Sequence, residues 1–415
     1  MNKTFVKAAK KLNIKLFADP NTQTTASSGL TDEMKTYYSD YLIDLVEPRL
    51  VHDQFADKKD IPKGSGKTIE FRKYSPLAKA LTPIQEGVTP NGNNLNMSTI
   101  TAEIYQYGDY ITLSDILQLA AIDNNVVQAT KLLGSQAGRT LDTITREVMA
   151  GGTNVIIAPD ADTPEEEPVA RHLITANNKF TPDLAFKAKT QLAAMNAAPI
   201  DDSYVAIIHP YVSYDIMRNP EWIALKDYDN ADYYKGEIGK IGGLRFVEST
   251  EAKIFRGDDL AKNSRTLTVD SISGSVITFS GGTVDENALA GRFILIGDNK
   301  YEVASNTSSK ITLTEEPGGG TVNNSDTIYP GEGGSKGCAV FAVTVVGANA
   351  YATTSLEGAG LEHIVKPLGS GGTSDPLNQR STVGWKATKA AERLVEEYMV
   401  RIECGSAYSD KAKAN

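Results

Sequence analysis

The sequence predicts an α+β chain with a small all-β domain inserted into it. An apolar face recurs at intervals of three and four from Val126 to Val148, the period of a helix of about six turns. Thr68 to Tyr74 alternates strictly, with Ile69 and Phe71 on one face and Glu70 and Arg72 on the other, as a strand does. From about residue 260 to 335 the chain is crowded with Ser, Thr and Gly, and short strand-like runs replace any helical pattern.

Composition sets the outer bounds. The 415 residues suffice for two or three compact units. With 40% hydrophobic and 23% charged residues the chain is globular rather than disordered. No apolar run approaches the ~18 residues that span a bilayer, so no membrane partner is expected. The N-terminal lysines are not followed by a signal-peptide core. The chain starts at Met1, and loss of a large propeptide is not expected. Cys338 and Cys404 stand apart, which fits a reducing compartment, and His52, His172, His209 and His363 show no metal-ligand spacing. A net charge of −10 disfavours a nucleic-acid reader, because such proteins gain affinity by neutralising phosphates.

Residues 1–60 carry a helix-leaning, basic opening (Lys3, Lys7, Lys10, Lys11, Lys15), a Thr/Ser-rich break, and helical spacing from Leu30 to Val51. That opening is either a frayed, solvated terminus or an arm that docks on the acidic surface of a neighbouring copy. The strand Thr68–Tyr74 is expected to pair with Ile100–Thr112 across a long tip rich in Pro, Gly and Asn. A two-stranded ribbon is not stable alone, so its apolar residues Ile69 and Phe71 are expected to lie on another subunit. Ser114 caps a short helix, the long helix follows, and Gly151 and Gly152 stop it. Thr181 and Pro182 begin another helix through Leu184, Ala188, Leu192 and Met195. Tyr204–Ile208 reads as a buried strand, and Pro210 opens a short helix with Tyr211, Tyr214 and Met217. In the β-rich stretch, strands are expected at Thr266–Val269, Val276–Phe279, Phe293–Ile296 and Lys310–Leu313, with another at Cys338–Val346. The alternation of Tyr398–Cys404 predicts a half-buried strand, and Lys386–Val395 fits helix and strand equally.

Chemical motifs fail on inspection. Lys63–Thr68 ends like a phosphate-binding loop, but Ile61 stands where glycine is required and a strand follows instead of a helix. The acidic run Asp160, Asp162, Glu165, Glu166 and Glu167 lacks cation-loop spacing and is broken by prolines. His209 before Pro210 reads as a strand-end residue, and there is no nucleophile elbow or paired-histidine zinc motif. No enzyme activity and no cofactor or metal is expected.

Two segments are distinctive. One runs from Gly236 and Glu237 through Gly239, Gly242 and Gly243 into Leu244–Ser249. The other holds Asp375, Pro376, Leu377, Asn378, Gln379 and Arg380 ahead of Gly384, Trp385 and Lys386. On local physics each is a tight turn or capped loop. Their sequences, in this order, resemble the N-four-type podovirus major capsid family. So do His209-Pro210 followed by Asn219-Pro220-Glu221-Trp222, and Gly347–Tyr351 ahead of Leu356-Glu357-Gly358.

The resemblance covers nearly everything but the β insertion, and it implies the Hong Kong 97-type capsid fold of tailed bacteriophages. On that fold 1–60 is an N-terminal arm, 61–113 an extended-loop hairpin, and 114–200 the peripheral domain with a long spine helix. Residues 201–256 and 336–360 form the axial domain, and 361–415 return to the peripheral domain. The insertion, 257–335, is either an immunoglobulin-like surface decoration or a loop-rich β-module that clamps neighbouring capsomers. The implied function is a major capsid protein that self-assembles into pentamers and hexamers of an icosahedral head enclosing double-stranded DNA without reading its sequence. Scaffold, portal and cement or decoration proteins are the further partners, and assembly takes place in the host cytoplasm. The candidate assembly residues are Ile69, Phe71, Gly236, Glu237, Gly239, Asp375, Asn378, Gln379, Arg380 and Trp385. An encapsulin-like nanocompartment and an adhesin or fibre protein with a β recognition module are the alternatives.

Overall fold

A computed structural model describes residues 22–23, 51–74, 77–81, 83, 86–87, 92–120, 125–163, 168–222, 237–357, 360–372 and 375–415. Most of the expected arm, Gly236 and the acidic Glu165–Glu167 therefore lie outside the described residues. In chain order come β1 (Thr22–Gln23), β2 (Asp57–Lys58), β3 (Thr68–Tyr74), β4 (Met97–Glu103), β5 (Tyr105–Ser114), β6 (Val155–Ile157) and β7 (Tyr204–Ile208). Then follow β8 (Glu237–Ile241), β9 (Leu244–Glu248), β10 (Ile254–Phe255), β11 (Leu267–Ser273), β12 (Val276–Ser280), β13 (Phe293–Ile296), β14 (Asn299–Asn306), β15 (Lys310–Leu313) and β16 (Thr327–Pro330). The last are β17 (Val340–Val346), β18 (Tyr351–Thr354), β19 (Glu362–Lys366), β20 (Arg380–Arg393) and β21 (Met399–Cys404). The α-helices are α1 (Asp115–Ala120), α2 (Asn125–Ala150), α3 (Pro182–Ala194) and α4 (Pro210–Met217).

A seven-stranded sheet in the order β6-β21-β17-β7-β9-β8, with β10 on β17, forms the centre. Its inner strands are near-continuous apolar runs, the pattern of strands covered on both faces. In β7, Tyr204, Ala206 and Ile208 pack with Leu184, Ala188 and Leu192 of α3, while Val205 and Ile207 turn to Met149 of α2 and to Tyr351. β21 is buried throughout, not half-buried as its alternation suggests. Its polar face, Arg401 and Glu403, is covered because the two pair with each other and Glu403 also pairs with Arg171, a partner the sequence pattern does not display. This strand sits between β6 and β17, although 361–415 were expected together elsewhere.

The second sheet runs β1-β5-β20-β18-β2, with β19 also on β20. β20 resolves the ambiguous stretch after Lys386 as strand up to Arg393. Val383, Trp385 and Ala387 on its inner face meet Leu133 and Ala137 of α2. The helix ends at Ala150 as expected, but its buried stripe drifts to Asp142, Thr145 and Arg146 in place of Leu141, Ile144 and Val148. Those polar groups go inside because side chains from other elements satisfy them. Ser114 caps α1 through a hydrogen bond from Leu117 N, 3.2 Å, whereas Thr181 caps α3 by backbone conformation only.

The returning strand expected at Ile100–Thr112 is two strands. Met97–Glu103 pairs with β3, from Thr68↔Glu103 to Tyr74↔Met97. After Ile104 the chain changes partner, and β5 pairs with β20 along its length. The ribbon is therefore 68–103, shorter than the expected hairpin.

Residues 267–330 close into a six-stranded barrel, β11-β12-β15-β14-β13-β16. Two of its strands, β14 and β16, were not foreseen. A closed barrel replaces the two facing sheets of the immunoglobulin-like expectation, and closure leaves no free edge strand. Its interior is filled by its own residues, among them Leu267, Ile277, Phe279, Ile294, Val303, Ile311 and Ile328.

Candidate assembly site

The ribbon has a buried root and a bare tip. At the root, Phe71, Ala102 and Ile104 pack on Ile61, Ala352 and Ala390, with Ile69 and Ile100 alongside. Ile69 and Phe71, expected to rest on another subunit, are thus covered by β18 and β20 of their own chain. Their alternation reports a buried face but cannot say whose chain buries it. Lys67 and Glu103 form an ion pair beside the root. The hydrogen bond from Lys67 holds the Glu103 carboxyl below the usual range, and the Tyr105 hydroxyl adds another at 3.1 Å. Further out the described apolar residues are exposed: Leu81 is 82% and Leu95 73% exposed, and Tyr74, Leu77 and Met97 are exposed too.

Asp375, Asn378, Gln379, Arg380 and Trp385 fold one loop onto its own subunit. The buried Asp375 carboxylate accepts from Gln379 N at 3.1 Å and Arg380 N at 2.8 Å, with Arg380 Nε at 4.0 Å. Asn378 adopts φ +53°, a left-handed turn position. The Gln379 carbonyl accepts from Asp115 N at the start of α1, 3.0 Å. Trp385 is buried, and its Nε1 donates to Gln136 Oε1 at 3.2 Å. Gln136 in turn donates to Asp109 at 2.7 Å.

Glu237 and Gly239 belong to an edge hairpin of the central sheet. Gly239 lies at a register shift in β8 with φ +149°, and a Cβ there would stand 3.3 Å from the Trp222 ring. Gly242 and Gly243, both at positive φ, make the two-residue turn. The predicted assembly residues thus sit on three separate elements and do not converge.

Sequence reasoning missed a buried ionic network that ties α2 to the segment 51–58, β18 and β20. His52 N donates to Asp142 Oδ1 at 2.9 Å, and His52 Nδ1 lies 2.6 Å from Asp142 Oδ2. The Tyr351 hydroxyl donates to the His52 carbonyl, 2.5 Å. Thr145 donates to Asp53 at 2.5 Å, and Lys389 reaches both Asp53 and the Leu141 carbonyl, the latter at 2.8 Å. Burial pushes the Lys389 ammonium pKa down, against the pull of Asp53. A second cluster joins Glu403 to Arg171 at 2.5 Å and to Arg401 at 2.9 Å. Apart from Arg401 and Glu403, which stand two residues apart on one strand face, nothing in spacing marks these groups, because their partners are far away in sequence.

No reactive arrangement emerges among the described residues. His209 is the N-cap of α4, its Nδ1 accepting from Tyr211 N at 3.1 Å, and burial lowers its pKa to about 4. Burial raises the Cys338 thiol to about 11 and the Cys404 thiol further. No group of His, Cys, Asp and Glu is placed to hold a metal among the described residues. Residues 63–67 are turns that lead into β3. Asp160 is engaged locally by Asp162 N, 2.9 Å. No helix among the described residues is long and apolar enough to cross a membrane.

A family model described as phage capsid protein matches residues 8–283. The chain belongs to the phage capsid protein family. Solved structures agree in fold. The capsid structure of cyanophage P-SCSP1u is 13% identical with a TM-score of 0.54, covering 95% of this chain and 98% of that chain. The capsid of Ralstonia phage GP4 is 13% identical with a TM-score of 0.53, covering 94% and 100%. The capsid asymmetric unit of cyanophage Pam1 is 10% identical with a TM-score of 0.54, covering 90% and 97%. No curated protein sequence matches the chain. As a phage capsid protein this chain is a structural subunit of the virion head, and the encapsulin-like and adhesin readings are not favoured.

Proposed function

We propose that this capsid protein builds an icosahedral head of the Hong Kong 97 type, in which pentamers and hexamers of one chain enclose double-stranded DNA. The ribbon 68–103 carries the reading. It has two strands, open edges and exposed leucines at its tip, which a subunit cannot satisfy alone but a neighbour can. On this reading the ribbon is the extended loop, and α2 with the β5-β20-β18 sheet is the peripheral domain. The central sheet is the axial domain and the barrel an insertion on the outer surface. Ring closure makes modest contacts collectively strong, since releasing one subunit breaks several interfaces together. The net charge of −10 suits a container for DNA rather than a reader of it. Scaffold, portal and cement proteins are the further partners, and assembly occurs in the host cytoplasm.

Co-expression with the other head proteins of its phage, followed by electron microscopy, tests the proposal. Closed hollow particles are expected. A well-folded protein that stays monomeric among all those partners overturns it.

A further inference from the structure

His209 stands between the end of β7 and the start of α4, and its ring caps that helix. Nδ1 accepts from Tyr211 N at 3.1 Å. A ring nitrogen that accepts carries no proton, so the neutral imidazole holds its proton on Nε2. The residue is 7% exposed. Tyr211 meets the ring edge-on, 4.8 Å between centroids, and Phe341 of β17 lies 5.1 Å away. α4 in turn holds the chain that follows β21. The Tyr211 carbonyl accepts from Ser406 Oγ at 2.9 Å, and Asp215 Oδ2 accepts from Ala407 N at 3.0 Å. The Tyr408 ring lies against Tyr211 at 4.6 Å and Tyr214 at 5.4 Å. Three successive residues, Ser406 to Tyr408, are thus fastened to one short helix whose N-terminus hangs on one imidazole.

We propose that His209 is an acid-operated clasp: a proton taken up by its ring breaks the α4 cap and releases residues 406–408 from the helix. An imidazolium donates from both nitrogens, so its Nδ1–H would face the Tyr211 N–H with no acceptor between them. The ring must then turn out of its aromatic seat, and the seat is what holds Tyr211 in place. Burial lowers the ring's pKa from 6.5 to about 4, and no charged group among the described residues offsets it. The titratable groups on the elements around the ring are Tyr211 and Asp215 on α4, Glu248 at the end of β9, Cys404 at the end of β21, and Tyr408. Because the folded pKa is depressed, the clasp is whole above 6.5 and weakens as pH falls towards about 4, where the released form has taken up a proton that the closed form refuses. Asp215 acts in the opposite sense. Burial raises its carboxyl pKa, with Lys179 and Arg218 pulling the other way, so its contribution grows as pH falls.

The test follows amide exchange of residues 405–412 in the full-length free subunit between about pH 7 and about pH 4.5, corrected for intrinsic rates, so it does not depend on shell formation. In wild type, protection there should fall by roughly tenfold for each unit below 6.5, while the core strands β7 and β17 keep theirs. His209→Asn retains an oxygen that caps from the same position but does not titrate, and its protection should be flat over that range. Asp215→Asn should still lose protection as wild type does. A wild type that is flat, or a loss that persists unchanged in His209→Asn, overturns the proposal. So does a loss that disappears in Asp215→Asn and not in His209→Asn, since it places the titrating group elsewhere. A second measurement needs no variant and decides the matter if His209→Asn does not fold. Exchange of the imidazole C2 hydrogen, read peptide by peptide in a mass spectrometer, reports the pKa of His209 itself. A value about two units or more below 6.5 is expected, and titration at the ordinary value would overturn the clasp.

Discussion

The barrel and the ribbon are both antiparallel β-structure, yet they solve the problem of free edges in opposite ways. The barrel pairs every strand on both sides and fills its interior with its own side chains. The ribbon pairs each strand once and borrows its core from β18 and β20. A unit that completes itself can be added to a fold without altering it. A unit left incomplete must be finished by something else, and on the proposed shell reading that makes it the element through which copies recognise one another.

The largest effect expected from this contrast is at the ribbon's root. Phe71→Asp would bury a charge among Ile61, Ala352 and Ala390 and should cost about 4 kcal/mol or more. The subunit should become insoluble or unfold in mild denaturant. A soluble, helical subunit with unchanged midpoint would show that the root is not held by its own chain.

Next is the barrel. Ile311 is fully buried inside it, and Ile311→Ala should cost about 3 kcal/mol through the cavity left behind. Because that core is self-contained, only the barrel's transition should fall in calorimetry or proteolysis, while the rest melts as before. A single merged transition that falls as one would deny the barrel its independence.

The same contrast explains what the sequence discloses. The barrel was visible through composition and turn spacing, since a self-sufficient unit carries its whole pattern within itself. α3 was visible for the same reason, one face and one period; β7 was visible as a short continuous apolar run, and α2 in its extent but not in the polar residues it buries. The ribbon was visible as alternation, but which end was buried was not, because Ile69 and Phe71 are covered by Ala352 and Ala390, far along the chain, as well as by Ile61. Asp142, Asp53 and Lys389 escaped altogether. Their burial depends on distant partners, and a charge in a helix reads as solvated until the partner is seen. The Asp375–Arg380 loop was noticed, but the bonds that shape it, from Gln379 N and Arg380 N to Asp375 and from Asp115 N to the Gln379 carbonyl, were not.

A smaller effect lies at the Lys67–Glu103 pair beside the root. The folded pKa of Glu103 is lowered by Lys67, so its contribution is present above the ordinary value of 4.5 and is lost as pH falls through the lowered value. Lys67 is raised from 10.5, so its share is present below that pH and lost as pH rises further. Between these limits Glu103→Gln should lower the melting midpoint slightly, and the difference should shrink as pH falls through the lowered Glu103 value, or at high salt, because the pair is exposed. A difference that is the same at every pH and salt concentration would assign the effect to packing.

The smallest effect on the subunit, and the most informative, is at the tip. Leu77, Leu81 and Leu95 are exposed, so changing all three to Ser removes no internal packing and should shift subunit stability by no more than about 0.5 kcal/mol. In a shell the same residues are the apolar surface offered to a neighbour, and their loss should abolish or sharply weaken assembly. Amide exchange separates the two halves of the ribbon. Protection at the root, where Ile104 N donates to the Lys67 carbonyl at 2.8 Å, should be similar in free subunits and in particles. At the tip, exchange should be fast in free subunits and slow in particles, because order there is gained only on contact, and fixing each residue costs about 1–2 kcal/mol of conformational entropy. Fast exchange at the tip in both states, together with normal shells from the triple serine variant, would remove the tip from the contacts between copies. The open edges of β3 and β4 would then be the remaining means by which the ribbon reaches a neighbour.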